Sequence, residues 1–451
     1  MGFDYDLVVI GFGKGGKTLA AQSAKMGKKV ALIEQSSEMY GGTCINIGCI
    51  PSKALLHMAT YKKGPTGYKE SIEEKNKLVA FLRQKNYETM QQAKVQVVDG
   101  TASFKDKHTL MIYHKDSCQE MSAAHIAINT GSIPITPNIP IQSSHVYDST
   151  SLMQLSTLPS HLVVVGGGHI GLEFASMLAD FGNHAHKNYT KITILMRGDT
   201  FLPKEDKPFQ ESIYQSLTQR GIEIVLNAQV QSIQDQHLHY VDSKSKQEHT
   251  LQADAFLLAT GRAPNTEHLH VEKAGLKLGK HQEVVTNEFL VANPDAGGNI
   301  YALGDVKGGD IFSTYVSLDD FRIVSSHLYG DKSRTTHNRS ALPQVLFTQT
   351  PYSHVGMRAK DIEKSGQKVL VKTIPTASIP GARVIEDTTG LLQVLVGDES
   401  KQSVLGASLH CPLSHELINV FALAINQKLG FSALKDMIYS HPSIMESFNT
   451  L

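Results

Sequence analysis

Cysteine is scarce in this 451-residue chain: there are 4, too few and too scattered for a disulfide scaffold. Net charge is missing as well. Lys+Arg and Asp+Glu are both 43, which argues against nucleic acid or an anionic membrane as the main partner, since both need a basic excess. Long apolar runs are absent: the most apolar stretch, 162–182, carries His169, Glu173 and Asp180 and fails as a membrane span. No low-complexity segment or long Pro/Ser linker interrupts the chain. The first residues enter a strand-like run at once and carry Asp4 and Asp6, so no signal peptide is expected and the cytoplasm is the default compartment. What remains fits a globular protein, hydrophobic at 41% and charged at 19%. At roughly 100–200 residues per domain, about three domains are expected.

Glycine is where the chain becomes specific. Residues 4–16 read as strand, tight turn and helix start, with G-x-G-x-x-G at Gly11, Gly13 and Gly16. Residues 162–171 repeat the pattern at Gly166, Gly168 and Gly171. One match is weak; two, each after an apolar β-branched run and before a helical pattern, are strong. Such a loop lets backbone approach a pyrophosphate, and the helix N-terminus supplies N–H groups and a positive dipole end. The copies align further: Gly27 follows Gly11 by 16 residues, and Gly182 follows Gly166 by 16. A second strand comes next in each, VALIE and ITILM. Before it the first copy has only Lys28 and Lys29, whereas the second has nine residues, 183–191, an insertion of seven. His184 and His186 within it read as a solvated loop, because two ligands without a third are not a metal site. The runs HIAINTG and AFLLATG, ending at Thr130–Gly131 and at Gly261, look like strands that stop near a nucleotide. From about Leu342 alternating strands and helical patterns at 414–429 and 432–439 mark a third domain.

The two copies differ at the end of their second strands. Glu34 can accept hydrogen bonds from a ribose 2′-OH. The matching position is Met196, followed by Arg197. Methionine removes the repulsion a 2′-phosphate would feel; Arg197 can pair with it, and Lys204 is a further cation nearby in sequence. NADPH is therefore expected as a donor, with NADH as the alternative.

Residues 41–56, GGTCINIGCIPSKALL, place Cys44 and Cys49 in C-x4-C. In a regular helix such residues have Cα atoms ~8–9 Å apart, beyond the ~7 Å limit of a disulfide. A bridge needs a distorted helical turn, for which Gly48 and Pro51 provide the means. Redox use is favoured over metal binding, the rival, because no second Cys or His pair has ligand spacing, and no metal is expected. Cys118 and Cys411 have no partner at useful spacing. HPSIME puts His441 five residues before Glu446; a histidine held by a carboxylate is a good general acid/base.

These motifs, with ATGRAPNT (259–266) and YALGDV (301–306), resemble the flavoprotein disulfide reductases, among them lipoamide dehydrogenase, glutathione reductase and mercuric reductase. The resemblance spans essentially the whole chain. It implies an α/β fold with two Rossmann-like dinucleotide-binding domains, for FAD and NAD(P), plus a C-terminal α+β dimerisation domain. The expected boundaries are 1–148 with 269–340, 149–268, and 341–451. It implies FAD contacts from Gly11, Gly13, Gly16, Glu34, Gly42, Thr43, Lys53, Ala102, Thr130, Gly131 and Asp305, the last on the ribityl chain. Gly166, Gly168, His169, Gly171, Met196, Arg197 and Gly261 would meet NAD(P). Lys53 and Glu173 would form an ion pair beside the flavin. His441 and Glu446 would enter the active site from the second subunit of a homodimer.

Within the family, GFGKGGKTLA, EQSSEMYGGTCINIGCIPSKAL, FLPKED, YVSLDDFRIV and HPSIMESFN are similar to the bacterial hypothiocyanous acid (HOSCN) reductases, or reactive-chlorine resistance flavoproteins. Departures from the pattern are His169 in place of a tyrosine, Met196 in place of an acid, one extra residue in 308–315, and the 183–191 insertion. The resemblance implies Cys49 as the flavin-facing thiolate, Cys44 as the thiol that meets a small oxidant, and HOSCN as that oxidant. Dihydrolipoamide dehydrogenase or another low-molecular-weight disulfide reductase is the alternative; a flavin-bearing redox sensor without turnover is the reading from a different class. Mercuric reductase is disfavoured, because the chain ends MESFNTL without a second cysteine pair.

Overall fold

The computed structural model describes residues 2–184, 187–362, 366, 368–398 and 400–451. They fall into two compact units. The first comprises Met1–Ala54, Glu73–Ile135 and Gly261–Arg339; the second Leu55–Ile72, Thr136–Thr260 and Ser340–Leu451.

In the first unit the strand Tyr5–Ile10 pairs in parallel with Val30–Glu34 on one side and with Ser117–Ile128 on the other. Gln96–Asp99 and Ile300–Ala302 extend the parallel sheet. Strands buried on both faces read as continuous apolar runs; Val30–Glu34 is buried throughout. The helix Lys14–Lys25 returns the chain between the first two strands and buries Leu19 and Ala20. Leu7, Val9, Leu32, Leu303 and Ile323 complete that layer, each with no exposed surface. Trimming one such leucine to alanine costs ~2–5 kcal/mol. The helix Thr314–Tyr329 runs alongside, held by Ser325 Oγ donating to Gln22 Oε1 at 2.8 Å and Tyr329 Oη donating to Ser23 Oγ at 2.9 Å.

The second unit repeats the plan. His161–Val165 pairs in parallel with Lys191–Leu195 and Ala255–Leu258, and the helix His169–Gly182 follows the first of these strands. A meander follows in the middle of the chain, where Ala228–Gln234, His237–Asp242 and Glu248–Gln252 pair antiparallel. The later part of this unit is an antiparallel sheet, with Tyr352–Gly356, Val404–His410, Leu391–Gly397 and Val369–Pro375 as successive neighbours. The FLPKED segment ties this sheet to the nucleotide fold of the same unit. Arg358 donates from Nε and Nη2 to the two oxygens of Glu205, each at 3.0 Å. Asp206 accepts the backbone N–H groups of Ala359 and Lys360 at 2.8 and 2.9 Å.

Two expectations are refined. The helix expected over 414–429 is Ser414–Asn426, and the one expected to run to 439 stops at Lys435. Its carbonyls are taken by the Asn449 amide, which donates to Lys435 O and Met437 O. The 183–191 insertion leaves the body as a hairpin, Asn183–His184 against Lys187–Asn188. It closes where Tyr189 N–H meets Gly182 O at 2.9 Å and Thr190 Oγ1 donates to Pro159 O at 2.8 Å. His186 and the His184 ring lie outside the described residues. Among the described residues no helix is long and apolar enough to cross a membrane.

Candidate active site

The first site grows from steric need. Gly11 has φ +98°, and a Cβ there would lie 2.4 Å from Asn129 O. A Cβ on Gly13 would lie 2.5 Å from Asn129 Oδ1. Only glycine leaves the backbone bare at these points. Asn129 then fixes the loop: its Oδ1 accepts Gly16 N–H at 2.9 Å, and its Nδ2 donates to Leu303 O at 2.6 Å. No side chain caps the helix start at Gly13, so the turn presents backbone N–H groups and the positive dipole end to an anion.

Around this turn the parallel strands end together, and the expected FAD residues end with them. Glu34 is buried and accepts Phe12 N–H at 3.0 Å on Oε2. Burial pushes its carboxyl up to about 7, against the opposing pull of backbone N–H donors. Ala102 is buried in the strand Thr101–Phe104, two residues after Gly100, whose N–H donates to Glu34 O. Thr130 Oγ1 donates to Asn265 O at 2.6 Å, and Gly131 has φ +74°. Asp305 opens a short 3-10 turn and accepts Ser132 Oγ–H at 2.7 Å; burial raises its carboxyl. Beneath that turn Asp320, fully buried, accepts Gly304 N–H at 2.8 Å and pairs with Arg339 at 2.5 Å. Asp320, the second acid of YVSLDDFRIV, thus holds the Asp305 turn. This bare glycine cradle, with an acid at the end of the second strand, fits the pyrophosphate and ribose of a dinucleotide such as FAD.

The two cysteines lie in the same unit. Gly42, at φ +78°, precedes a short helix Thr43–Asn46; the helix breaks at Ile47 and restarts as Cys49–Met58. The expected distortion is therefore a complete break between the two cysteines. Asn46 braces it, donating to Tyr40 O and Gly42 O, both at 3.0 Å, and accepting from Arg83 Nε at 2.9 Å. Both cysteines are free thiols. A hydrogen bond from Cys49 lowers Cys44 to about 6, helped by Thr314 and by the charges of Lys17 and Lys53, while burial opposes. The same bond, with burial, pushes Cys49 up. The two sulfurs share a hydrogen bond and titrate as a pair, with Cys44 lowered and Cys49 raised.

Beside Cys44 a cavity of about 430 Å³ opens, lined among others by Lys14, Lys17, Asn86 and Thr314. Sequence reading did not single out these four. Asn129, Asp320 and Ser132 were not singled out either, since each acts through a neighbour more than 100 residues away or through backbone.

The second unit holds the second glycine loop. A Cβ on Gly166, at φ +115°, would lie 2.4 Å from Ala259 O, and one on Gly171 would lie 2.0 Å from Gly166 O. Gly168 caps the helix that begins at His169, which is exposed. Met196 is buried over the loop, its Sδ 2.5 Å from where a Gly167 Cβ would stand. Arg197 is exposed. Gly261 belongs to the first unit, where its carbonyl accepts Ile135 N–H at 3.0 Å. Glu173 Oε1 accepts Phe347 N–H at 3.0 Å within the second unit, whereas Lys53 belongs to the first. His441 Nδ1 meets Glu446 Oε2 at 2.8 Å, and Ser443 N–H donates to the other oxygen at 3.2 Å. The His441 bond holds the Glu446 carboxyl below its ordinary range. The imidazole, 76% exposed, keeps Nε2 for proton exchange. In one chain this pair and the thiols belong to different units. Cys118 is exposed and Cys411 buried. No group of three metal-ligating side chains occurs among the described residues.

Comparison with known proteins places this geometry. Residues 5–320 match the pyridine nucleotide-disulphide oxidoreductase family, and 342–451 match its dimerisation domain. The chain is 44% identical to the probable pyridine nucleotide-disulfide oxidoreductase RclA of Escherichia coli K12, over 99% of this chain and 98% of the relative. It is 28% identical to dihydrolipoyl dehydrogenase of Geobacillus stearothermophilus, over 98% and 94%. The solved structure of the HOCl-induced flavoprotein disulfide reductase RclA from Escherichia coli matches with a TM-score of 0.92 at 42% identity, covering 99% of each chain.

Proposed function

This chain belongs to the pyridine nucleotide-disulphide oxidoreductase family, and from that premise we propose that it reduces hypothiocyanous acid to thiocyanate with electrons from NADPH. The observation that carries the reading is the paired thiol at the break between helices, where Cys44 is lowered to about 6 by the hydrogen bond from Cys49. A thiolate at neutral pH is the nucleophile a small electrophilic sulfur requires, and such an oxidant needs access more than a binding groove.

FAD, held by the Gly11–Gly13–Gly16 turn, Glu34, Gly42, Thr43, Lys53, Ala102, Thr130, Gly131 and Asp305, supplies when bound the relay of an electron pair from the nicotinamide to the Cys44–Cys49 disulfide. The chain's own residues do the rest. Gly166, Gly168 and Gly171 receive the nicotinamide dinucleotide's phosphates, with His169 and Gly261 near its ring end. Arg197 pairs with a 2′-phosphate over the apolar Met196. Lys53 keeps positive charge at the flavin. Cys44 thiolate attacks the sulfur of HOSCN: a Cys44 S–S bond forms, the S–O bond breaks, and the oxygen leaves as water with a proton. Cys49 sulfur then attacks Cys44 Sγ, the Cys44–Cys49 bond forms, and the electron pair of the broken bond leaves with thiocyanate. The net change is dithiol plus HOSCN to disulfide, thiocyanate, water and a proton. In the dimer, the partner subunit's His441, oriented by the partner's Glu446, exchanges the protons; an imidazole so held contributes ~10²–10⁴-fold. NADH as donor is the alternative on the nucleotide side.

The similarity to a reductase described as HOCl-induced supports an oxidant of the reactive-chlorine type. The test is oxidation of NADPH and NADH by the flavin-loaded protein with HOSCN, lipoamide, glutathione disulfide and Hg(II) side by side. Turnover is expected with HOSCN and NADPH. Fast turnover with lipoamide and little with HOSCN would replace this reading with that of a dihydrolipoyl dehydrogenase.

A further inference from the structure

The cavity beside Cys44 has an unusual electrical lining. Among its lining residues are two ammonium groups, Lys14 and Lys17, and no carboxylate. Lys17 is held by uncharged acceptors and is drawn toward the Cys44 sulfur. Its Nζ donates to Gly41 O at 3.2 Å and to Asn86 Oδ1, both uncharged acceptors. An ammonium has three donors, so these contacts position the charge without cancelling it. Asn86 is in turn fixed by its Nδ2 bond to Leu82 O at 2.7 Å, on the long helix Gly64–Gln92. Burial and the repulsion of Lys14 lower Lys17 to about 8, while the Cys44 sulfur pulls the other way. Lys17 therefore stays mostly cationic at pH 7. A partly buried cation in low dielectric attracts an anion far more strongly than a solvated one does.

We propose that this cavity is an anion pocket serving Cys44, in which Lys17, braced by Asn86 and assisted by Lys14, binds thiocyanate as it leaves the Cys44 sulfur. The identification of the anion rests on the HOSCN reading above; the pocket's preference for a small anion does not. Negative charge appears on the departing group only when Cys49 attacks Cys44, so a cation there favours the step that reforms the disulfide. The same charge draws the conjugate base of the oxidant toward the thiol.

The test uses the flavin-loaded protein, reduced, and compares alkylation by iodoacetate and iodoacetamide, with each cysteine followed by mass spectrometry. Cys118, exposed on the same molecule, is the internal reference. The iodoacetate-to-iodoacetamide rate ratio is expected to be about tenfold higher at Cys44 than at Cys118. Thiocyanate should protect Cys44 more than chloride or acetate does at equal ionic strength. Lys17→Met should bring the Cys44 ratio down toward that of Cys118, and Lys17→Arg should keep it within about twofold. If Lys17→Met does not hold FAD, the thiocyanate protection of the unaltered protein decides alone. Equal ratios at the two cysteines, or protection by acetate as strong as by thiocyanate, would overturn the proposal. A charge bias at Cys44 in a protein that does not turn over HOSCN would uphold the pocket and defeat the oxidant reading; HOSCN turnover without the bias would do the reverse.

Discussion

The two glycine loops of this protein are built alike and finished differently. In each, a buried parallel strand ends at a glycine with positive φ where a Cβ would stand only 2.4 Å from a carbonyl oxygen, Asn129 O in one and Ala259 O in the other. In each, a helix starts without a side-chain cap. The difference lies at the end of the next strand. Glu34 is a buried acid tied to Phe12 N–H, whereas Met196 lays a thioether over Gly167 and hands the charge to the exposed Arg197. The backbone makes both loops receptive to a pyrophosphate; the proposed preference for NADPH rests on the side chains at the strand ends.

The largest effects come from breaking the loops one at a time. Gly11→Ala should abolish flavin binding and the yellow colour, because the added Cβ strikes backbone at a φ of +98°. Gly166→Ala should leave the protein yellow but unreduced by NADPH, as seen by absorbance in the absence of oxygen. If both variants lose flavin, the two loops do not divide the nucleotides as argued. A smaller effect sharpens the contrast at the strand ends. Arg197→Ala should lower kcat/KM for NADPH by about 10–100-fold, the worth of a charge-assisted bond of ~1.5–3 kcal/mol. NADH should change by less than about twofold, since it carries no 2′-phosphate. An equal loss with both donors would mean that Arg197 does not read that phosphate.

The same comparison explains what the sequence revealed. The glycine loops were legible because their requirement is steric and local, and because they occur twice. The break between Cys44 and Cys49 was legible because helix geometry and disulfide geometry disagree at that spacing. The residues that hold the site were not. Asn129 buttresses the first loop from 113 residues beyond Gly16, and Asp320 holds the Gly304 turn from the next helix. Each is a single polar residue whose meaning depends on a tertiary contact. FLPKED and YVSLDDFRIV stood out as motifs, yet Glu205, Asp206 and Asp320 in them serve as structural ties. Lys17 carried no signal at all, because a lysine in a helix's first turn reads as surface until the cavity beside it is seen.

The proposed reaction requires that the Cys44–Cys49 pair, and not the flavin alone, deliver electrons to the oxidant. It is tested most directly by following NADPH-dependent HOSCN reduction in Cys44→Ser. The glycine cradle does not use that sulfur, so the variant should bind FAD, remain yellow and be reduced by NADPH, while HOSCN turnover falls to the background of free flavin. Full HOSCN turnover in a yellow Cys44→Ser protein would contradict the account.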